Sequence, residues 1–193
     1  MATHQEQLKI WDEWIRQGQG QKVRSLCRQL NHKKIPRNFL VGYAQIARRV
    51  GASDLILLWL RPIVRNEKVL AKPATDSEKA IYGLALLRLG AFREARQILD
   101  AVNPEKDPQV YFYRASLQMN QWNYKKAIPD LKRYVRQKEI PAYSRMVGRL
   151  NLCASLVSNQ SWALAEAEIG KLMRLFEKTQ VPLLKGKDRK SVV

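Results

Sequence analysis

The chain has 193 residues, 46% of them hydrophobic and 27% charged, with 9 Gly and 8 Pro, which excludes a disordered or low-complexity polymer and fits one helix-leaning globular domain. Its 35 Lys+Arg against 17 Asp+Glu give a net charge of +18 and favour anionic partners. The start "MATHQEQLKIWDEW" lacks a basic head followed by an apolar run, so no secretory signal is expected, and the most apolar run, "LILLWL" (Leu55–Leu60), is far too short to cross a membrane.

Helical periodicity runs through the chain from its first segment. "LKIWDEWI" places Leu8, Trp11 and Ile15, with Ile10 and Trp14, on an apolar stripe recurring at three- and four-residue steps. "VGYAQIARRVG" carries Val41, Ala44, Ile46 and Val50 and stops at Gly51, a residue suited to a helix end. "SDLILLWL" opens the next helix with Ser53 as its N-cap. "LRLGAFREARQIL" (Leu87–Leu99) reads as two helices meeting at Gly90, and "MNQWNYKKAIPDL" (Met119–Leu131) echoes it with Tyr124, Ala127 and Leu131 for Phe92, Ala95 and Leu99. Trp122 falls where the turn glycine is expected. Pro62 and Pro129 fall inside helices, where a proline removes a hydrogen bond and kinks the turn; Pro129 could alternatively open a late helix at "PDLKRYV". Upstream, Val23-x3-Cys27 follows Gly18, and downstream Ala165-x3-Ile169-x2-Leu172 follows Trp162. The positions Val23, Ile56, Ala95, Ala127 and Ala165 are separated by 33, 39, 32 and 38 residues, the longer gaps holding the polar inserts "NEKVLAKPATD" and "RQKEIPAYS".

This pattern resembles the tetratricopeptide repeat, a helix pair of about 34 residues with small residues where helices touch, a turn Gly and a late Pro. Residues 76–108 and 109–141 carry most of the likeness: Tyr82-Gly83-x2-Leu86, Gly90-x-Phe92, Ala95-x3-Leu99 and Pro108 in the first, Ala115, Tyr124, Ala127-x3-Leu131 and Pro141 in the second. Arg114, where Leu is usual, and Trp11, at a normally small position, depart from it. The resemblance implies an all-α solenoid of about five antiparallel helix hairpins over residues 1–184, followed by a basic, disordered tail at 185–193.

Catalysis and metal binding have little to work with. His4 and His32 stand away from any Ser, Cys or paired acid at useful spacing, and two His with two Cys are too scattered for ligand spacing. "RQGQGQKVR" (Arg16–Arg24) lacks the preceding strand and the GK[ST] of a phosphate loop and reads as a turn. Cys27 and Cys153 fall on core positions, as small buried hydrophobes in a reducing compartment. Trp11, Trp14, Trp59, Trp122 and Trp162 read as core and turn packing, not as a platform for bases. The basic stretch Lys125–Lys138 and the tail read as solvated surface, with phosphate binding as the competing reading. The chain is therefore expected to be a cytoplasmic, non-catalytic adaptor or scaffold without cofactor or metal.

The resemblance further implies a concave groove lined by the first helix of each pair. Carried onto this sequence, that face holds Leu8, Ile15 and Arg16, then Val41, Gln45, Arg48 and Arg49, then Ala80, Leu84, Leu87 and Arg88. Phe112, Ser116, Met119 and Asn120 follow, then Leu150, Ala154 and Val157. Arg16, Arg48, Arg49, Leu84, Arg88, Phe112 and Met119 are the expected partner-binding residues, and Arg16, Arg49 and Arg88 recur at one equivalent position. The expected partner is an acidic or amphipathic segment of another protein; nucleic acid on the basic surface is the alternative.

Overall fold

The computed structural model describes residues 3–65 and 72–178. Among them lie ten α-helices, a 3₁₀ turn at His32–Lys34 and no strand. The helices are α1 (His4–Arg16), α2 (Gly20–Gln29), α3 (Arg37–Arg49), α4 (Ser53–Arg65), α5 (Asp76–Arg88), α6 (Phe92–Asp100), α7 (Gln109–Asn120), α8 (Tyr124–Tyr134), α9 (Ala142–Ser158) and α10 (Trp162–Lys178). Contacts divide the chain into two compact units, one ending at Tyr113 and the other beginning at Arg114. The tail expected at 185–193 lies outside the described residues.

Five short turns link odd helices to even ones, and all five have the same construction. Gly18, Gly51, Gly90, Trp122 and Gln160 each have positive φ, between 56° and 83°. The amide of each bonds back three residues, and the next amide bonds back five: Gln19 to Trp14, Ala52 to Ala47, Ala91 to Leu86, Asn123 to Gln118 and Ser161 to Leu156, at 2.8–3.0 Å. This double closure satisfies carbonyls that a helix end would leave open and reverses the chain at once. Five residues after each turn residue comes Val23, Ile56, Ala95, Ala127 or Ala165, every one of them buried. The turn and the anchor therefore repeat together, with the spacing of the sequence echo.

In the first unit α1 packs on α2 and α3, α3 on α2, α4 and α5, and α5 on α4 and α6. The core between them holds Tyr43, Ile56, Leu60, Ile81 and Leu99. Close approach is bought with glycine: a Cβ on Gly83 would stand 2.7 Å from Leu99 Cδ2, and one on Gly42 2.7 Å from Leu8 Cδ1. In the second unit α8 and α10 both pack on α9, where a Cβ on Gly148 would stand 2.5 Å from the buried Tyr134 ring.

Two sequence expectations are corrected. Pro129 does not open a late helix, because α8 starts at Tyr124 and runs through it, as α4 runs through Pro62. Both prolines are exposed, so each carbonyl that loses its helical donor, on Lys125 or Leu58, belongs to an exposed residue within reach of water. Trp11 and Trp59 are core residues, but Trp122 is 80% and Trp162 63% exposed, so turn packing does not account for either.

One buried charge ties the first unit together across the α4–α5 connection. Glu78 is 2% exposed and takes the Arg37 guanidinium in two parallel bonds of 2.9 and 2.8 Å. The remaining Arg37 donors reach the carbonyls of Lys72 and Pro73, while Glu78 also accepts from the Thr75 amide in a capping box. Arg37 stands at the first position of α3, where the helix dipole repels a cation, so Glu78 compensates for an unfavourable placement. Burial pushes the Glu78 carboxyl up, but Arg37 and the Thr75 amide together outweigh it and hold the group below its ordinary range.

Two outcomes follow. Gly148→Ala gains about 1 kcal/mol in helix propensity but overpacks the Tyr134 ring by about 1–3 kcal/mol, so a lowered urea midpoint is expected. For Glu78 the folded pKa lies below the unfolded one, so its stabilisation is full above about pH 4.3 and is lost as pH falls through the depressed value. Glu78→Gln should cost about 2 kcal/mol at neutral pH, and the gap from the parent should close in acid unfolding curves.

Candidate functional site

The arginines expected in the groove sit in the last turns of α1, α3 and α5, where each cation faces the carbonyl-rich helix end. These three helices pack in sequence, α1 on α3 and α3 on α5, so their last-turn side chains belong to one connected surface. The structure sorts the arginines into two kinds. Arg16 and Arg49 both pair with Asp12, Arg16 at 2.8 Å in an i,i+4 bridge and Arg49 from the neighbouring helix. One carboxylate thus serves two guanidinium groups and links α1 to α3.

Arg48 and Arg88 make no ion pair among the described residues. Arg48 is held by its Nε, which donates to Gln45 Oε1 at 2.9 Å one turn earlier on α3. Arg88 has much of its surface exposed, yet its charged end is partly withdrawn from water. That burial, and then repulsion from Arg48, lowers its pKa, with only Tyr113 acting the other way. Tyr113 is 3% exposed and feels both guanidinium groups and Gln45. Burial dominates and, with Asp107, pushes its hydroxyl pKa up against those groups. Asp107 is itself raised, by burial and by Asp76, against hydrogen bonds from Ser77 and the Gln109 amide. Arg48 and Arg88 are thus near enough to repel one another, and both act on a buried phenol that Asp107 also reaches.

Of the other expected residues, Leu84 is buried beneath Arg88, one turn earlier on α5, and Phe112 is half-buried at the end of the first unit. Met119 belongs to the second unit, as do Leu150 and Val157, which are exposed on α9. The expected stack of Arg16, Arg49 and Arg88 is therefore not one unit: the first two share an acid and the third faces Arg48. Asp12 could have been found from its i,i+4 spacing to Arg16. Tyr113 gave no signal, being one aromatic among three in "YFY".

Elsewhere, His4 and the two cysteines are occupied in folding. His4 Nδ1 lies 3.0 Å from the Tyr43 hydroxyl, which donates to Gln7 Oε1. Cys27 and Cys153 are buried and free, and burial pushes the Cys27 thiol up to about 11, far from the reactive thiolate range. Among the described residues no group of three His, Cys, Asp or Glu could hold a metal ion, and no helix is long and apolar enough to cross a membrane. Comparison with protein-family models, with curated proteins and with solved structures gives no match.

The two kinds of arginine should respond oppositely to neutralisation. Asp12→Asn strips the counter-charge from Arg16 and Arg49 and should cost up to about 1 kcal/mol. Arg88→Gln removes a repelled charge and should leave stability within about 0.5 kcal/mol of the parent, on the favourable side. Thermal unfolding at low salt, where the contrast is largest, measures both.

Proposed function

We propose that this chain is a tetratricopeptide-like helical repeat acting as a non-catalytic protein-interaction module, and that its first unit receives an acidic segment of a partner protein across α3 and α5. Five turns of the same construction, each five residues ahead of a buried anchor, support the repeat reading, as does the packing order in which α1, α3, α5 and α9 contact the helices that flank them. Two free, buried cysteines suit a cytoplasmic setting.

The observation that carries the binding reading is the uncompensated pair Arg48–Arg88. Two guanidinium groups held together cost free energy that an incoming carboxylate would recover, while a charge-assisted hydrogen bond is shorter and stronger than a neutral one. Gln45 fixes Arg48 before binding, so less side-chain freedom is lost when a partner docks. Half-buried Phe112, next to Tyr113 in the chain, offers an apolar neighbour to a residue beside the acid. A segment with Asp or Glu next to Leu or Phe matches that chemistry. Recognition of this kind needs little rearrangement, and the output is the partner brought in.

The test is fluorescence polarisation with labelled peptides in which Glu alternates with Leu-containing turns, against controls with Gln for Glu. The Glu peptides should bind, and Arg48→Glu with Arg88→Glu should abolish binding with the circular dichroism spectrum unchanged. Arg16→Glu should have little effect, since Asp12 already occupies that cation. Equal binding of Gln and Glu peptides, or retention by the double variant, would remove the basis for this site.

A further inference from the structure

The second unit carries an independent surface on α8 and the turn before it. The apolar side of α8, Ala127, Leu131 and Tyr134, is buried, and the helix packs on α9. At 3.6 residues per turn, Lys125, Lys126, Lys132 and Arg133 fall on the opposite side within an arc of about 120°. Arg136 follows in the turn closed by its amide on the Arg133 carbonyl, extending the row to about 16 Å along the axis. Asp130 pairs with Arg133 at 3.5 Å, whereas Lys125, Lys126, Lys132 and Arg136 make no ion pair among the described residues. Lys125 and Lys126 also stand in the first turn of α8, which has no acidic residue, so the helix dipole opposes them. Folding gains nothing from this placement.

Trp122 stands in the turn that leads into α8, three residues before Lys125. It holds a left-handed conformation, φ 59°, that Gly18, Gly51 and Gly90 adopt without a side-chain penalty in the equivalent turns. In return it buries little, being 80% exposed with its ring edge-on to Tyr124 at 6.1 Å. A large flat side chain is thus kept in water, at a backbone cost, in the turn before a helix that carries cations without an ion pair.

We propose that this surface binds single-stranded nucleic acid, with Lys125, Lys132 and Arg136 on phosphates along one strand and Trp122 stacked on an unpaired base. Single strands are held by this combination of a cationic track and an aromatic face, and stacking tolerates any base. A duplex keeps its bases stacked on one another and offers Trp122 no face. A membrane surface is disfavoured because an interfacial helix must insert its apolar side, and that side of α8 is already buried in the protein.

The experiment uses the full chain and labelled oligothymidylate and oligouridylate of about 20 nucleotides, beside a duplex of equal length, at about 50 to 200 mM salt. Both single strands should bind more tightly than the duplex, with log K falling linearly against log salt by about 0.7 per phosphate engaged. Trp122→Gly relieves the turn and should fold at least as well as the parent, yet bind about tenfold more weakly with the salt slope kept. Lys125→Glu with Lys132→Glu should weaken binding and flatten the slope. Arg48→Glu with Arg88→Glu should leave it unchanged, which separates this surface from the site on α3 and α5. The proposal is overturned by absent binding at low salt, by equal affinity for duplex, by parental affinity in Trp122→Gly, or by loss in the Arg48/Arg88 variant. Binding confined to vesicles containing anionic phospholipid would overturn it equally.

Discussion

The positive-φ turn tied to a buried anchor five residues later is the constraint on which the rest of the chain depends. A helix ends where its last carbonyls find donors, and here two amides close it back at a fixed distance from the next packed residue. The following helix is consequently launched with its anchor already facing the core. Three of the turns use glycine, for which the conformation is free of Cβ strain, and two use Trp122 and Gln160. Because the second helix is positioned by backbone geometry, the inserts between one pair and the next can vary in length without disturbing the pairs themselves.

Charge is divided between folding and surplus. Where a cation is placed against the helix dipole at Arg37, a buried acid meets it in two parallel bonds and the loop carbonyls take the remaining donors. In the second unit Glu168 does comparable work, bridging Arg149 of α9 and Lys171 of α10. With 17 acids against 35 Lys and Arg, there are about two bases for every acid, so many cations have no acid of their own. Among the described cations without an ion pair, Arg48 and Arg88 lie close enough to repel, and Lys125, Lys126, Lys132 and Arg136 lie along or just beyond one side of α8, while others such as Lys9, Arg28, Arg61 and Arg93 stand elsewhere. An excess of one sign confined to small areas is an electrostatic address, since field strength there exceeds that of the same charge dispersed.

Much of the fold was legible because it rests on short-range pattern. The spacing of Val23, Ile56, Ala95, Ala127 and Ala165 identified the anchors, and Trp122 was recognised in the place of a turn glycine because the residues on both sides kept register. Pro129 misled because its side chain meets solvent, so the helix tolerates a lost donor that a buried position would not. The site was less legible. Periodicity placed Arg48, Arg49 and Arg88 on helix ends correctly, but which of them is neutralised depends on Asp12 reaching across from α1, a contact of long sequence separation. Tyr113 joins the cluster only because α7 begins where its phenol feels the charge of both guanidinium groups. Nor could composition distinguish a buried tryptophan from an exposed one: Trp59 and Trp122 differ in the side of the chain they occupy, not in their neighbours' chemistry.

The proposed site on α3 and α5 turns on the difference between arginines paired with an acid and arginines without one. Side-chain Nε–H resonances of arginine, followed by NMR while a peptide of Glu and Leu is added, report on each guanidinium separately. Saturable shifts are expected at Arg48 and Arg88, accompanied by Gln45, with Arg16 and Arg49 nearly still. Shifts of equal size at all four, or shifts at Arg16 and Arg49 alone, would contradict this site.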